Sequence, residues 1–355
     1  MKTLGIDTVF NTTASAIVEN GNNILIDIAK TNREILPNQM LVLAEFQNQN
    51  IGEVIKQAFI KSGLKIKDIS LIAVSNECSL RSTVAVGVAS ANLLSKFFDI
   101  PIIGVSHIEA HIFSNWLGRD KSEFESPILV FSSSGASSCL VVIKDLFRFR
   151  VISEVDIGKK KPGKNPEFAG VGNLFSFLAN NLNLSNKAGC GYLVSEKATG
   201  NKGKYSFKVL SRRKAGDLNF FWLKQELIKV IKKERKAGNS FSKQFISDIC
   251  ASFEQSIFNI LISDIKFFID KYRIKEVHLA GGISANNNFF FRAKKKLKDI
   301  KVRRPVKKKY SIDNAAMVAS RGYFQYQNQK HKFLKQRKVK VVSNLGLEKI
   351  AINQL

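Results

Sequence analysis

The order of apolar runs along this chain starts again near its middle, and that repetition limits the fold more than any other feature. Residues 3–7, 12–18 and 23–29 read as strands, with Asn20-Gly21-Asn22-Asn23 as a hairpin turn. An amphipathic helix over 51–63 follows, then a buried strand from Ile69 to Ser75 and an apolar helix over 82–98. A strand over 101–105 and a short helix complete the first half. From Pro127 the pattern repeats, with strands at Ile128–Ser133, Ser138–Lys144 and Phe149–Val155 and a helix over 170–183. A long helix over about 242–271, strand Glu276–Ala280, a helix near 286–298, strand Lys301–Arg304 and a helix from Ser311 to about Tyr326 close it. The polar, basic stretch of about 185–240 reads as an insertion, and the basic segment from 327 has no clear period. The expected fold is α/β, a duplicated βββαβα unit with a ligand cleft between the halves, an arrangement suited to nucleotide phosphates. The expected division is 1–125, 126–326 and a basic tail, 327–355.

The chain has four histidines, and His107 and His111 stand four apart in His107-Ile108-Glu109-Ala110-His111. On a helix that spacing puts both imidazoles on one face. The helix opens at the carboxyl end of an apolar strand, where open α/β sheets bind ligands. A zinc-protease HExxH pattern does not fit, because Glu109 is two residues after the first histidine. Two surface histidines on an ordinary helix is the plain alternative. A stable metal centre needs at least a third protein ligand. Asp313, at the start of the last helix, faces the same cleft in a duplicated fold and completes a His/His/Asp set suited to iron(II) or zinc; otherwise it is simply the helix N-cap.

Three further segments end strands at the cleft. Asp7 offers a carboxylate for a metal or for phosphate-bound water, or else caps a turn. Ser132 to Ser138, around Ser134 and Gly135, is a turn of small residues through which backbone N–H groups can approach a phosphate or carbonyl, or a plain hairpin turn. Ala280-Gly281-Gly282-Ile283-Ser284-Ala285-Asn286 runs from a strand through a double glycine into a helix, which aims backbone donors at an anion; a tight strand–helix turn is the alternative. It lacks both the GxGxxG spacing and the P-loop lysine.

The formal net charge of +27 attracts nucleic acid or an anionic surface. Basic runs stand at Lys159-Lys160-Lys161, Lys294-Lys295-Lys296, Arg303-Arg304 with Lys307-Lys308-Lys309, and Lys332 to Lys340. Each alone is a solvated face; together they suit a phosphate backbone. Cys78, Cys139, Cys190 and Cys250 have no CxxC spacing, which argues for a reducing compartment. The start reads as a strand rather than a signal peptide, and the apolar region around 82–105 is broken by Lys96, Asp99 and Pro101. A cytoplasmic protein with no membrane partner is expected.

Together these residues resemble the TsaD-type tRNA N6-adenosine threonylcarbamoyltransferases of the sugar kinase, Hsp70 and actin superfamily. The family's HMEGH looks like His107 to His111, its AGGVSAN like Ala280 to Asn286, and its TDNGAM like Ile312-Asp313-Asn314-Ala315-Ala316-Met317. Its LGIETSCDET is similar to Leu4 to Thr13, and the match runs in order from about 4 to 325. The resemblance implies an RNase H-like (actin/Hsp70-like ATPase) fold. It also implies transfer of a threonylcarbamoyl group from threonylcarbamoyl-adenylate to N6 of adenine 37 in tRNAs reading A-starting codons. One divalent metal, iron(II) or zinc, would sit on His107, His111 and Asp313 and polarise the carbonyl. The Gly281-Gly282 turn and Asn286 would hold the adenylate. The implied partners are tRNA, a paralogous TsaB-like subunit and a TsaE-like ATPase.

The chain departs from the family pattern at several points. SGGHT reads Ser134-Gly135-Ala136-Ser137-Ser138, without the histidine. GEAFDK reads Gly172 to Phe177, so that Ser176 stands where the ribose-holding Asp is expected. HxxxxGGxxPxxA is faint near Pro37–Ala44, GPGL reads Glu77-Cys78-Ser79-Leu80, and GGP reads Gly189-Cys190-Gly191. The alternative function is therefore a catalytically impaired relative, a scaffold or tRNA-binding subunit. A sugar or acetate kinase of the same fold fits less well, since those enzymes use a carboxylate-rich phosphate loop and no histidine metal site.

Overall fold

The computed structural model describes the chain except residues 35–38, 78–79, 136, 147, 156–168, 188, 208–212, 237–240, 343–346 and 348–355. The Lys159–Lys161 run and Pro37, Cys78, Ser79 and Ala136 of the motif comparisons lie outside the described residues.

The first half comprises β1 (Lys2–Asp7), β2 (Thr12–Glu19), β3 (Asn23–Thr31), α1 (Met40–Ser62), β4 (Leu71–Glu77), α2 (Arg81–Phe98), β5 (Ile102–Ser106) and α3 (His107–Phe113). The second comprises β6 (Ile128–Ser134), β7 (Ser137–Asp145), β8 (Arg148–Val155), α4 (Val171–Asn181), α5 (Tyr192–Lys197), α6 (Phe221–Lys236), α7 (Lys243–Tyr272), β9 (Glu276–Ala280), α8 (Asn287–Lys296), β10 (Lys301–Arg303), α9 (Ala315–Asn328) and α10 (Lys330–Phe333). The two sheets have the same topology, β3-β2-β1-β4-β5 and β8-β7-β6-β9-β10. In each, the first strand pairs antiparallel with the second and parallel with the fourth. The duplicated βββαβα order is thus the observed architecture. The β2–β3 turn reverses through Asn20 and Gly21, both with positive φ (53° and 78°).

The apolar clusters define five layers. Helices α1 and α2 cover the outer face of the first sheet through Val54, Val84, Val88 and Ala91. Helices α4 to α8 cover the outer face of the second, with Phe253, Ile257 and Leu261 of α7 at the centre. Between the sheets lie α3 and α9. Although α9 belongs to the second half in sequence, its Ala315, Ala316 and Ala319 pack on Ala14, Ala16, Leu71 and Ala73 of the first sheet. The approach is close, since a Cβ on Gly322 would overlap the Cβ of Ala73. Phe324 of the same helix joins Ile112, Phe113 and Trp116 against Val130 and Val141 of the second sheet.

Helix α7 is long and apolar enough to cross a membrane, yet 72% of its apolar window is buried inside the protein. It reads as a core helix. The basic tail is described over residues 327–342 and at Leu347. It runs along the first unit, where Ile102 N–H donates to Gln336 O at 3.0 Å and Val342 N–H to Asn76 O at 2.9 Å.

Candidate metal centre

Because β1 and β5 are parallel to β4 between them, their carboxyl ends lie at one edge of the sheet. β1 ends there in Asp7, and β5 runs directly into α3, whose first residue is His107. One helical turn later His111 brings its ring to 4.7 Å, centroid to centroid, from that of His107. Asp313 arrives from the other half of the chain, on the connection into α9. The N-cap of α9 is Asn314, not Asp313: Asn314 Oδ1 accepts from Met317 N–H at 3.0 Å, and Nδ2 donates to Ile312 O at 2.7 Å. The capping alternative for Asp313 is thereby corrected, and its carboxylate turns to the histidines. Asp313 Oδ1 lies 3.3 Å from His107 Nε2 and 3.2 Å from His111 Nε2. Asp7 Oδ1 lies 3.4 Å from His107 Nδ1.

His107, His111 and Asp313 each present one ligand atom within 4.8 Å of the others, a group able to hold a metal ion. The donor set fits a divalent cation such as zinc or iron(II). Both ring nitrogens of His111 and both Asp7 oxygens are buried without a hydrogen-bond partner. Groups left so cost about 1–3 kcal/mol each, and a cation at His111 Nε2 would remove one such cost. For His111, electrostatics agree with a donor role. Burial lowers the His111 pKa below the imidazole range, which keeps a lone pair available. Burial also pulls His107 down, but Asp7 and Asp313 outweigh it and hold His107 well above its usual value. Burial alone would raise Asp313; the two imidazoles overcome it and hold that carboxyl far below the usual range. Glu109 points elsewhere, to Arg321 Nε at 2.6 Å.

The strand ends of the second half form a neighbouring group. Ser132 of β6 pairs with Ala280 of β9, so the serine turn and the double glycine lie side by side. Ser133 and Ser138 hydroxyls meet at 2.9 Å across the turn. Ser134 is half-buried and Gly135, at φ 50°, has open space where a Cβ would stand. Gly281 has φ 69°, and a Cβ there would overlap the Ser133 carbonyl, so glycine is required. At Gly282 the nearest atom to such a Cβ is 3.9 Å away, which leaves its backbone open to a ligand. The segment after it packs against residues 308–311, which lead to Asp313. Asn286 caps α8 by accepting from Phe289 N–H at 3.0 Å. Its Nδ2 donates to Ser195 Oγ at 2.7 Å and Glu254 Oε1 at 3.3 Å. Sequence reading missed Ser195 and Glu254, since nothing local marks a polar residue inside α5 or α7. Gly189 sits apart on the turn before α5, where Gly191 rather than Gly189 presses on Phe175 beside Ser176.

With this geometry in place, the comparisons with known proteins are informative. A family profile described as TsaD, tRNA N6-adenosine threonylcarbamoyltransferase, matches residues 41–320. The tRNA N6-adenosine threonylcarbamoyltransferase of Caldicellulosiruptor bescii is 30% identical over 92% of this chain and 94% of its own length. That of Christiangramia forsetii is 30% identical over 91% and 92%. Among solved structures, full-length HypF in its phosphate- and nucleotide-bound form matches with a TM-score of 0.59 at 14% identity, over 92% of this chain and 46% of that one. That last likeness concerns the fold alone.

Proposed function

This chain belongs to the TsaD family of tRNA N6-adenosine threonylcarbamoyltransferases, and on that premise we propose that it transfers the threonylcarbamoyl group of threonylcarbamoyl-adenylate to N6 of adenosine 37 in tRNAs reading A-starting codons. The observation that carries this reading is the meeting of His107 and His111 from the first half with Asp313 from the second. In the transfer, a bond forms between N6 and the carbamoyl carbon, the bond from that carbon to the adenylate phosphate oxygen breaks, AMP leaves and N6 loses a proton. A bound divalent cation, iron(II) or zinc, supplies Lewis-acid polarisation of the carbonyl.

The protein's own groups supply the rest. Asp7 orients His107 through Nδ1 and leaves Nε2 facing Asp313. Burial keeps His111 neutral as a donor. The open backbone at Gly282, beside Ser134 and Gly135, suits the anionic adenylate. Asn286 acts by fixing the start of α8 under that turn. The exocyclic amine of a base is a weak nucleophile, so fixed positioning contributes much of the rate.

The net charge of +27 suits tRNA as acceptor. The outer face of α1 and α2 exposes Ile60, Leu93 and Phe97, the last at 78%, which supports docking of a paralogous TsaB-like subunit, with a TsaE-like ATPase beside it. A tRNA-modifying role places the protein in the cytoplasm. A second reading, an impaired scaffold or tRNA-binding subunit, is favoured by Ser176 and by the engagement of the Asn286 amide with Ser195 and Glu254.

Metal content and transfer decide between them. The wild type is expected to hold about one divalent ion per chain, and Asp313→Ala to hold none. With threonylcarbamoyl-adenylate, tRNA and partner subunits, His107→Ala with His111→Ala should abolish modification. Unchanged modification in that variant would remove the metal from the mechanism. No transfer by the metal-loaded wild type would establish the scaffold reading.

A further inference from the structure

We propose that the groove between α8 and the edge strand β10 is a docking site for the phosphate backbone of RNA, built separately from the metal cluster. The inference rests on the tRNA reading above and assigns that RNA a place on the surface. Among the described residues β10 ends the second sheet and pairs on one side only, with β9. Between it and α8 lies a cavity of about 700 Å³ whose walls carry Arg119, Lys294, Lys298, Lys301, Arg303 and Arg304 against a single carboxylate, Asp299.

Which of these cations are already neutralised decides what the groove can bind. Arg303 is, by Glu276 at 2.7 Å, and Lys301 stands 3.6 Å from the same carboxylate. Among the described residues the other four form no ion pair. Arg119 is held by carbonyl oxygens, Asn115 O at 2.9 Å and Arg304 O at 2.8 Å, and Arg304 by Asn287 Oδ1 at 2.8 Å. These bonds fix both guanidinium groups without cancelling their charge. Lys294 and Lys298 have no carboxylate within ion-pair distance among the described residues, and both are exposed. Burial lowers the pKa of both Arg119 and Arg304, and at Arg119 the nearby Arg303 charge adds to it while Glu123 and Glu276 act the other way. Concave, rigid and unneutralised positive charge is what a polyanion binds at small entropic cost.

The aromatic component separates RNA from other anions. Phe290 lines the groove with the Arg304 guanidinium 4.1 Å from its ring centre, and Phe291 stands 59% exposed beside it. Basic grooves with ring platforms hold unpaired nucleotides by stacking as well as charge. The groove also adjoins the cleft. Arg304 reaches Ser284 O at 3.4 Å, on the segment after Gly281-Gly282, and Arg119 follows the histidine helix of the first unit. A strand held here by its backbone can present a base at the strand ends.

The test is the affinity of the full chain for an unmodified tRNA reading A-starting codons, measured at several salt concentrations. Lys294→Glu with Lys298→Glu lies on an exposed face and should leave folding and metal content unchanged. It should raise Kd at least about tenfold and reduce the log–log salt slope by about two, the loss of two phosphate contacts. Lys232→Glu with Lys233→Glu, the same charge change on the exposed side of α6, should leave the slope near that of the wild type. Equal weakening by both pairs, or no effect of the first, overturns the groove. So does a groove variant that keeps tRNA but loses binding to anionic lipid vesicles or to its partner subunits. A wild type that binds no tRNA overturns the functional reading together with the groove, whereas binding indifferent to Lys294 and Lys298 overturns the groove alone.

Discussion

His278 and Glu276 show how one residue pair can set the pH dependence of the whole protein. Both are fully buried on β9, two positions apart and so on one face of the sheet, with His278 Nε2 3.1 Å from Glu276 Oε2. Trp116 and Phe124 pack on the imidazole at 5.2 and 5.3 Å. Burial, opposed in part by Glu276, pushes the His278 pKa from 6.5 down to about 4. Burial would raise Glu276, but His278 and Arg303 override it and lower that carboxyl from 4.5 to about 2. Both folded values lie below the unfolded ones, so the unfolded chain binds more protons. Stability contributed by His278 is whole above about pH 6.5 and is lost as pH falls toward 4; that of Glu276 is lost between about 4.5 and 2. Urea midpoints should therefore fall steadily from pH 7 to 5, by at most about tenfold in folding constant per pH unit for one group. His278→Gln should flatten that slope, and parallel slopes in the two proteins would assign the acid sensitivity to other groups. Little of this network is legible in the sequence, because Arg303 and Trp116 come to His278 through strand pairing and layer packing. The metal-site residues are more legible. The i, i+4 spacing of His107 and His111 is local, and Asp313 can be added once the duplication is recognised. Asp7 reads only as a strand-end carboxylate, since its place beside His107 depends on the parallel arrangement of β1 and β5.

Helices α3 and α9 carry the three candidate ligands or stand next to them, so their mutual register sets the site. That register is held by Glu109 and Arg321, 2.6 Å apart, with side chains 2% and 1% exposed. Arg321 also lies over the Phe113 ring at 4.9 Å. Removing one member of such a pair strands a buried charge and costs about 3–5 kcal/mol. Glu109→Gln should lower the free energy of unfolding by that amount, and adding Arg321→Met should recover most of it. Metal affinity then distinguishes positioning from stability: a stable double variant with weakened metal binding means that the pair aligns the two helices. If single and double variants are equally unstable, the charge pair is not what holds the register. The two partners are 212 residues apart, and no local pattern joins them. Element boundaries were readable where apolar runs are continuous, as in β6 and β9. They were not where polar side chains are satisfied by a neighbouring loop. Helix α1 begins at Met40 rather than 51, because Gln47 faces inward and donates to Phe10 O at 2.8 Å, which breaks the apolar period while preserving the helix. The last helix begins at Ala315 because Asn314 supplies the cap.

At the scale of the whole molecule, the two sheets share their inner layer. The first sheet's inner face is closed by α9, and the second sheet's by Ile112, Phe113 and Trp116, which belong to the first half of the sequence. Leu347 of the tail is buried against the second sheet, with its N–H on the Glu154 carboxylate at 3.1 Å, after the tail has run along the first unit. Each half therefore lends the other part of its core, and neither can lose its fold while the other stays dry. Duplicated architecture by itself suggests two independent units, but exchanged helices imply a single cooperative transition. The two tryptophans make this measurable. Trp116 sits between the sheets and Trp222 lies on α6, remote from that layer. In a Trp222→Phe variant, fluorescence reports the inter-sheet layer alone, while circular dichroism reports both sheets. Urea midpoints and slopes from the two signals should coincide. An earlier Trp116 transition would mean that the sheets separate before they unfold. The candidate metal cluster would outlast that first step, because α3 continues β5 and α9 packs on the first sheet, so all three ligands stay with that sheet. Added divalent metal would shift the second transition and leave the first in place, because a ligand stabilises only the states that contain its site.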